Sequence, residues 1–324
     1  MQPMKPGESR IEIFRPFGKA FELTKQILFQ PFDLKRWLII GFAAWLAHLG
    51  AGGGLNFRYN WSQSGEKLQE DLTQIPRPLL VIGISALICF LLALGILFTW
   101  LRARGRFVFI DCLVKNRAAI AEPWREFRRE ANSYFVFSLL AGLCFGIIAA
   151  LLSLPFILPM MRGNAFLREH FLYAVSSMVG WGFTLIVIIL AWSLLANFMA
   201  PVMYRQRCGS WEAFRTVARL LGNYPGEVLL YCLFLIVLGL ATALISCLVT
   251  CATCCLAAIP YVGTVILLPV FVLLCLFPLL FLRQFGPDYD VWAAAMPPEF
   301  AAVLLPTPPI VEPSSAPPAD ATEG

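Results

Sequence analysis

Between Glu227 and Arg283 the chain runs for 55 residues, 228–282, without a single charge. About 20 apolar residues in a helix cross the hydrocarbon of a bilayer. The run therefore predicts two membrane crossings, joined near Ile259-Pro260-Tyr261. The same criterion marks six spans in all, at residues 37–54, 79–101, 135–157, 178–204, 228–249 and 261–282. Each is long enough to cross with some tilt. Backbone groups in lipid must bond within their own segment, so the spans are expected to be helices. The first is the weakest, because it carries His48 and ends in Gly50-Ala51-Gly52-Gly53-Gly54.

Before three of the spans the pattern changes to an amphipathic period. Phe17, Ala20, Phe21, Thr24, Ile27 and Leu28 recur at i, i+3, i+4 and i+7, as do Trp211, Phe214, Val217, Ala218 and Leu221. A shorter segment has Trp124, Phe127 and Ala131. This spacing puts one apolar face on a surface helix. Trp-x-x-Phe-Arg occurs at both Trp124 and Trp211, and breakers follow each segment: Pro31, Asn132-Ser133 and Gly222-Asn223-Tyr224-Pro225. The unit read from this is one interfacial helix plus a transmembrane hairpin, used three times in parallel. Two hairpins share an apolar-Pro-aromatic-apolar turn, Leu154-Pro155-Phe156-Ile157 and Ile259-Pro260-Tyr261-Val262. The fold class expected is all-α: a polytopic membrane protein of six transmembrane helices over residues 1–295. Residues 296–324, with eight prolines, read as a disordered cytoplasmic tail.

Charge orients the spans. Twenty of the 25 Lys and Arg residues fall on one side of the six-span scheme. The positive-inside rule then places both termini in the cytoplasm and the protein in the cytoplasmic membrane. A leader sequence is not expected, because the first 36 residues hold seven basic and four acidic residues. A net charge of +5 gathered in a few loops is a topology signal and no nucleic-acid footprint.

The segment Trp100-Leu-Arg-Ala-Arg-Gly-Arg-Phe107-Val-Phe-Ile-Asp111, followed by Asn116-Arg-Ala-Ala-Ile120 and Pro123-Trp124, resembles an uncharacterised group of prokaryotic six-helix membrane proteins. So does the opening from Ala20-Phe21 through Pro31-Phe32-Asp33-Leu34-Lys35-Arg36-Trp37-Leu38. That group is similar to the membrane domain found on glycerophosphoryl diester phosphodiesterases. The resemblance spans roughly residues 15–290. It implies the fold and not the activity, since a phosphodiesterase domain is not read in this sequence.

Candidate chemistry is sparse. Cys247, Cys251, Cys254 and Cys255 sit at helical spacing at the end of the fifth span. Without a nearby His they make a poor metal site. They read first as small apolar packing residues, with a disulfide as the alternative. His48 and His170 belong to no triad or metal motif. Neither enzyme activity nor a cofactor nor a metal is expected. The spans hold no ionised residue, which weakens an ion-coupled transport reading. Gly142 and Gly146 form a small-xxx-small pair that favours close helix packing, and Pro201, Pro269 and Pro278 are possible kinks. Arg102, Arg104 and Arg106, with Arg125, Arg128 and Arg129 beyond them, are the candidate head-group contacts for anionic membrane lipid. Snorkelling stop-transfer charge is the plainer alternative. Three functional classes stay open at this point: a non-enzymatic scaffold or regulatory membrane protein, a carrier of lipid or another apolar solute, and, fitting worst, a membrane enzyme.

Overall fold

The computed structural model describes residues 12–49, 76–161, 171–253, 259–293 and 296–305. Among these, all regular structure is helical and no strand occurs. In chain order the helices are α1 (Phe14–Phe29), α2 (Leu34–Ala47), α3 (Arg77–Val114), α4 (Ala121–Glu126), α5 (Arg128–Met161), α6 (Phe171–Gln206), α7 (Ser210–Asn223), α8 (Pro225–Ala252), α9 (Pro260–Ile266) and α10 (Leu268–Arg283). A 3-10 turn, Pro298–Phe300, and the short α11 (Ala301–Leu304) follow.

Four helices, α3, α5, α6 and α8, are long and apolar enough to cross a membrane. The remaining two expected spans are built differently. The described part of the first is α2, with 14 residues, and 50–54 lie outside the described residues. The sixth is divided at Leu267 into α9 and α10. Pro269 is the physical cause, because it has no N–H to give to the carbonyl four residues earlier. That carbonyl, Val265 O, instead accepts the indole N–H of Trp37 on α2, at 3.0 Å.

The core lies at one end of the long helices, which we call the base. The buried stripe of α1 (Ala20, Leu23, Thr24, Ile27, Leu28) packs on α10, which is buried from Leu276 through Leu282. Phe21, placed on that stripe by the period, is instead exposed. Helix α2 runs along α3 so closely that a Cβ on Gly105 would lie 2.6 Å from the Leu46 carbonyl carbon. Phe198, Tyr231, Phe277 and Phe281 stack where α6, α8 and α10 meet. Away from the base the helices separate. In their most apolar windows, 0% of residues are buried in α3 and α5, 6% in α8 and 39% in α6.

Several expectations need correction. Helix α3 continues beyond Leu101 to Val114, and α5 begins at Arg128, not Phe135. The second surface segment thus shrinks to the six residues of α4, against 16 in α1 and 14 in α7. Asn132-Ser133 does not break α5, because both side chains find partners outside it. Asn132 accepts from Arg104, and the Ser133 hydroxyl accepts the backbone N–H of Ser210 at the start of α7. That bond satisfies a first-turn donor that lacks a helical partner. The Leu154-Pro155-Phe156-Ile157 turn is absent, since α5 stays helical to Met161. Among the described residues Gly142 and Gly146 pack against nothing; a Cβ on either meets no atom within 4 Å. Finally, the start of the supposed tail is ordered. Phe300 and Leu304, with Trp292 before them, are buried in the core, and residues 306–324 lie outside the described residues. An apolar Phe-Ala-Ala-Val-Leu run at helical spacing supplies what the prolines lack.

Candidate functional site: an arginine-lined cleft at the base of the long helices

The connector after α3 is held by a buried carboxylate. Asp111 has no exposed side-chain surface and pairs with Lys115 at 2.7 Å and with Arg117 at 3.0 Å. The Tyr204 hydroxyl, from α6, donates to the same carboxylate at 3.0 Å. Arg117 can fold back because Asn116, with φ of 50°, takes the left-handed conformation that commonly ends a helix. The network extends outward through Arg117–Glu122, Lys115–Glu126 and Arg207–Glu126. The Arg207 guanidinium also lies 3.9 Å over the ring of Phe127, which stacks on Tyr204 at 4.7 Å. Partial burial pushes the Glu126 carboxyl up, but the hydrogen bonds and charges of Arg207 and Lys115 outweigh it. The result is a pKa below its ordinary value.

The six candidate arginines do not form one patch. Arg125, Arg128 and Arg129 are exposed on α4 and the start of α5. Arg104 is only 7% exposed. Its guanidinium lies 4.6 Å from the ring of Trp100 and 5.1 Å from that of Trp124, and it donates to Asn132 Oδ1 at 3.0 Å. Arg102 and Arg106 are one turn apart and share the opposite side of α3. Arg106 Nη1 donates to the Tyr134 hydroxyl at 2.7 Å and to the Ala196 carbonyl at 2.8 Å.

Arg106 reaches into a cleft of about 330 Å³ bounded by α2, α3, α6, α8 and α10. Its polar lining is His48, Ser193 and Asn197, and Pro201 and Pro278 face it from α6 and α10. Each proline deprives a carbonyl one turn earlier, that of Asn197 or Leu274, of its helical donor. His48 Nδ1 donates to the Ala44 carbonyl at 2.8 Å, which leaves Nε2 of the neutral ring as an acceptor. None of the lining residues is a carboxylate. What the cleft offers chemically is one guanidinium and a few neutral polar groups in apolar walls, a setting for an anion attached to hydrocarbon.

Sequence reasoning singled out Arg106 but grouped it with arginines that point elsewhere. A 100° turn per residue separates Arg104 from the pair Arg102 and Arg106, and that signal was present in the spacing. Ser193 and Asn197 sit one turn apart on α6, but His48 comes from a distant segment and no local pattern unites it with them. Of the four spaced cysteines, Cys247 and Cys251 are exposed free thiols on α8, while Cys254 and Cys255 lie outside the described residues. Among the described residues no three His, Cys, Asp or Glu side chains gather as a metal site.

A family model described as a family of unknown function (DUF7544) matches residues 12–296. The chain belongs to this family. The matched region runs from the start of α1 to just beyond the Trp292 turn, so the Asp111 network, the cleft and all of the core except Phe300 and Leu304 lie within it. No curated protein and no solved structure matches the chain.

Proposed function

We propose that the chain is a multi-pass protein of a prokaryotic cytoplasmic membrane and acts as a non-enzymatic scaffold or regulatory component. In this reading it crosses six times, with α2 and the α9–α10 pair as the two shorter crossings. Three parallel repeats make up the fold, and both termini sit in the cytoplasm with the basic base. The resemblance to the membrane domain of glycerophosphoryl diester phosphodiesterases is part of the same proposal.

The observation that supports it is the unequal burial of the four long helices. Their bases are locked together by aromatic stacking and ion pairs, while their apolar outer lengths stay largely unpacked within the chain. Apolar surface on this scale is covered by lipid or by another protein. Photo-crosslinking groups placed at Leu143 of α5 and Leu244 of α8, both well exposed, test the reading in native membranes. Discrete protein adducts are expected from at least one position. Lipid adducts alone from both would argue against a scaffold.

The carrier reading draws on one observation of its own. The cleft at Arg106 is flanked by Pro201 and Pro278 on two different helices, and prolines can let helices bend where a solute must pass.

A further inference from the structure

We propose that the cleft at Arg106 binds an acidic phospholipid, its phosphate at the Arg106 guanidinium and one hydrocarbon chain in the seam between α6 and α8. The inference rests on the membrane reading above, but it holds for a scaffold as well as for a carrier.

Three observations converge on it. First, Arg106 is half-buried, and its two hydrogen-bond partners, the Tyr134 hydroxyl and the Ala196 carbonyl, are neutral acceptors. No carboxylate pairs with it among the described residues, and none lines the cleft. A guanidinium held among apolar walls without an anion is costly, so the site favours a negative ligand. Arg102, one turn earlier and likewise without an ion pair among the described residues, adds charge of the same sign. Second, a volume of about 330 Å³ suits a head group and the first carbons of a chain but not a whole lipid. The hydrocarbon must leave. Third, an exit is open. Apart from the Phe198–Tyr231 contact at the base, the backbones of α6 and α8 stay apart, and a Cβ on Gly239, which lines the cleft, would meet nothing within 4 Å. On the same two helices Ile186, Ile236 and Leu240 are exposed and apolar. A phosphate without a tail would gain the guanidinium but leave this seam empty.

The test is native mass spectrometry of the full-length protein in mild detergent. The probes are dioleoyl phosphatidylglycerol, dioleoyl phosphatidylcholine with the same chains, and glycerol phosphate as the head group alone. Wild type should retain the glycerol lipid about tenfold more than the choline lipid, as expected for one charge-assisted contact. Arg106→Gln should bring the two to the same level, and Arg106→Lys should keep part of the preference. Because Arg106 also ties α3 to Tyr134 and Ala196, the glutamine variant could fail to fold. Gly239→Phe then carries the test, since it fills the seam and leaves the arginine in place. It should lower retention of the anionic lipid about tenfold. An unchanged preference in a folded Arg106→Gln protein, unchanged retention in Gly239→Phe, or full displacement by millimolar glycerol phosphate would each overturn the proposal. Extraction of wild type by alkaline carbonate would instead defeat the membrane reading. Carbonate-resistant protein without a lipid preference would defeat the cleft site alone.

Discussion

Helix α3 is apolar at both ends and treats the two ends in opposite ways. Leu79 to Phe98 stand out of the fold, with Phe90 63% exposed, while Phe107 to Val114 are almost wholly buried. Hydrophobicity does not separate them. What does is charge. The buried end carries Arg104, Arg106 and Asp111 among its apolar residues, and each finds a partner from another helix or the adjoining connector. The exposed end carries none and has nothing to pair. Polar side chains inside a core specify which helices meet, because a wrong neighbour leaves them unsatisfied. A purely apolar surface accepts any apolar surroundings, and the four long helices are apolar enough for a bilayer to serve.

This contrast predicts that the same kind of change has different consequences in the two halves. The largest effect is expected at Asp111. Replacing it with Asn leaves Lys115 and Arg117 facing a neutral amide. Breaking a buried pair costs about 3–5 kcal/mol. The lower end applies here, because Lys115 and Arg117 keep 29% and 30% of their side-chain surface exposed. Thermal melting of the purified protein in mild detergent should show the loss, and a melt within a degree of wild type would contradict the role given to this carboxylate.

Glycines sharpen the comparison. Gly105→Ala puts a methyl 2.6–2.7 Å from the backbone of Leu46 and Ala47, which can yield only if α2 and α3 move apart. Overpacking of this kind costs about 1–3 kcal/mol. Gly142→Ala, in the outer half of α5, meets open space and should raise stability by up to about 1 kcal/mol through helix propensity. If both changes destabilise alike, the outer half is packed more tightly than described.

A smaller loss is expected for Trp37→Phe, which removes the donor to the Val265 carbonyl that Pro269 leaves without a helical partner. A buried bond of this kind contributes about 1 kcal/mol. The same melting experiment would detect it, and no change would mean that water takes the place of the indole.

The smallest effect concerns pH and belongs to the base alone. Glu126 has its pKa lowered in the fold by Arg207 and Lys115, against the effect of burial. Its stabilising contribution is therefore present above the ordinary carboxylate range and is lost as pH falls through the lowered value. Melting curves of wild type should shift down slightly in acid, and Glu126→Gln should lose that part of the pH dependence. A variant with an identical acid profile would remove Glu126 from the account.

Apolar runs without charge were enough to read the four long helices and their class. Their ends were not legible. A charge-free window stops at Leu101, whereas α3 runs on to Val114, because Arg104 and Asp111 are paired inside the core and do not end the helix. The break at Leu267 follows from Pro269, which was visible, but its Trp37 partner lies more than 200 residues away and was not. The arginines were visible as a group, yet their division between two sides of α3 required helical geometry in place of proximity in sequence. The cleft required five helices to meet, and no single segment announces that. Phe300 and Leu304 were hidden by the prolines around them, although their spacing already suited a short helix.

The central claim is that the charged base and the apolar outer lengths occupy different solvents, with the connectors richest in Lys and Arg on one side of the membrane. Reporter fusions in living cells test it most directly. Fusions after Arg117, Cys208 and Pro287 should report the cytoplasm, and fusions after Gly65 and Gly163, which lie outside the described residues, should report the opposite side. An external signal at Arg117 would place the Asp111 network across the membrane from its expected position and contradict the account.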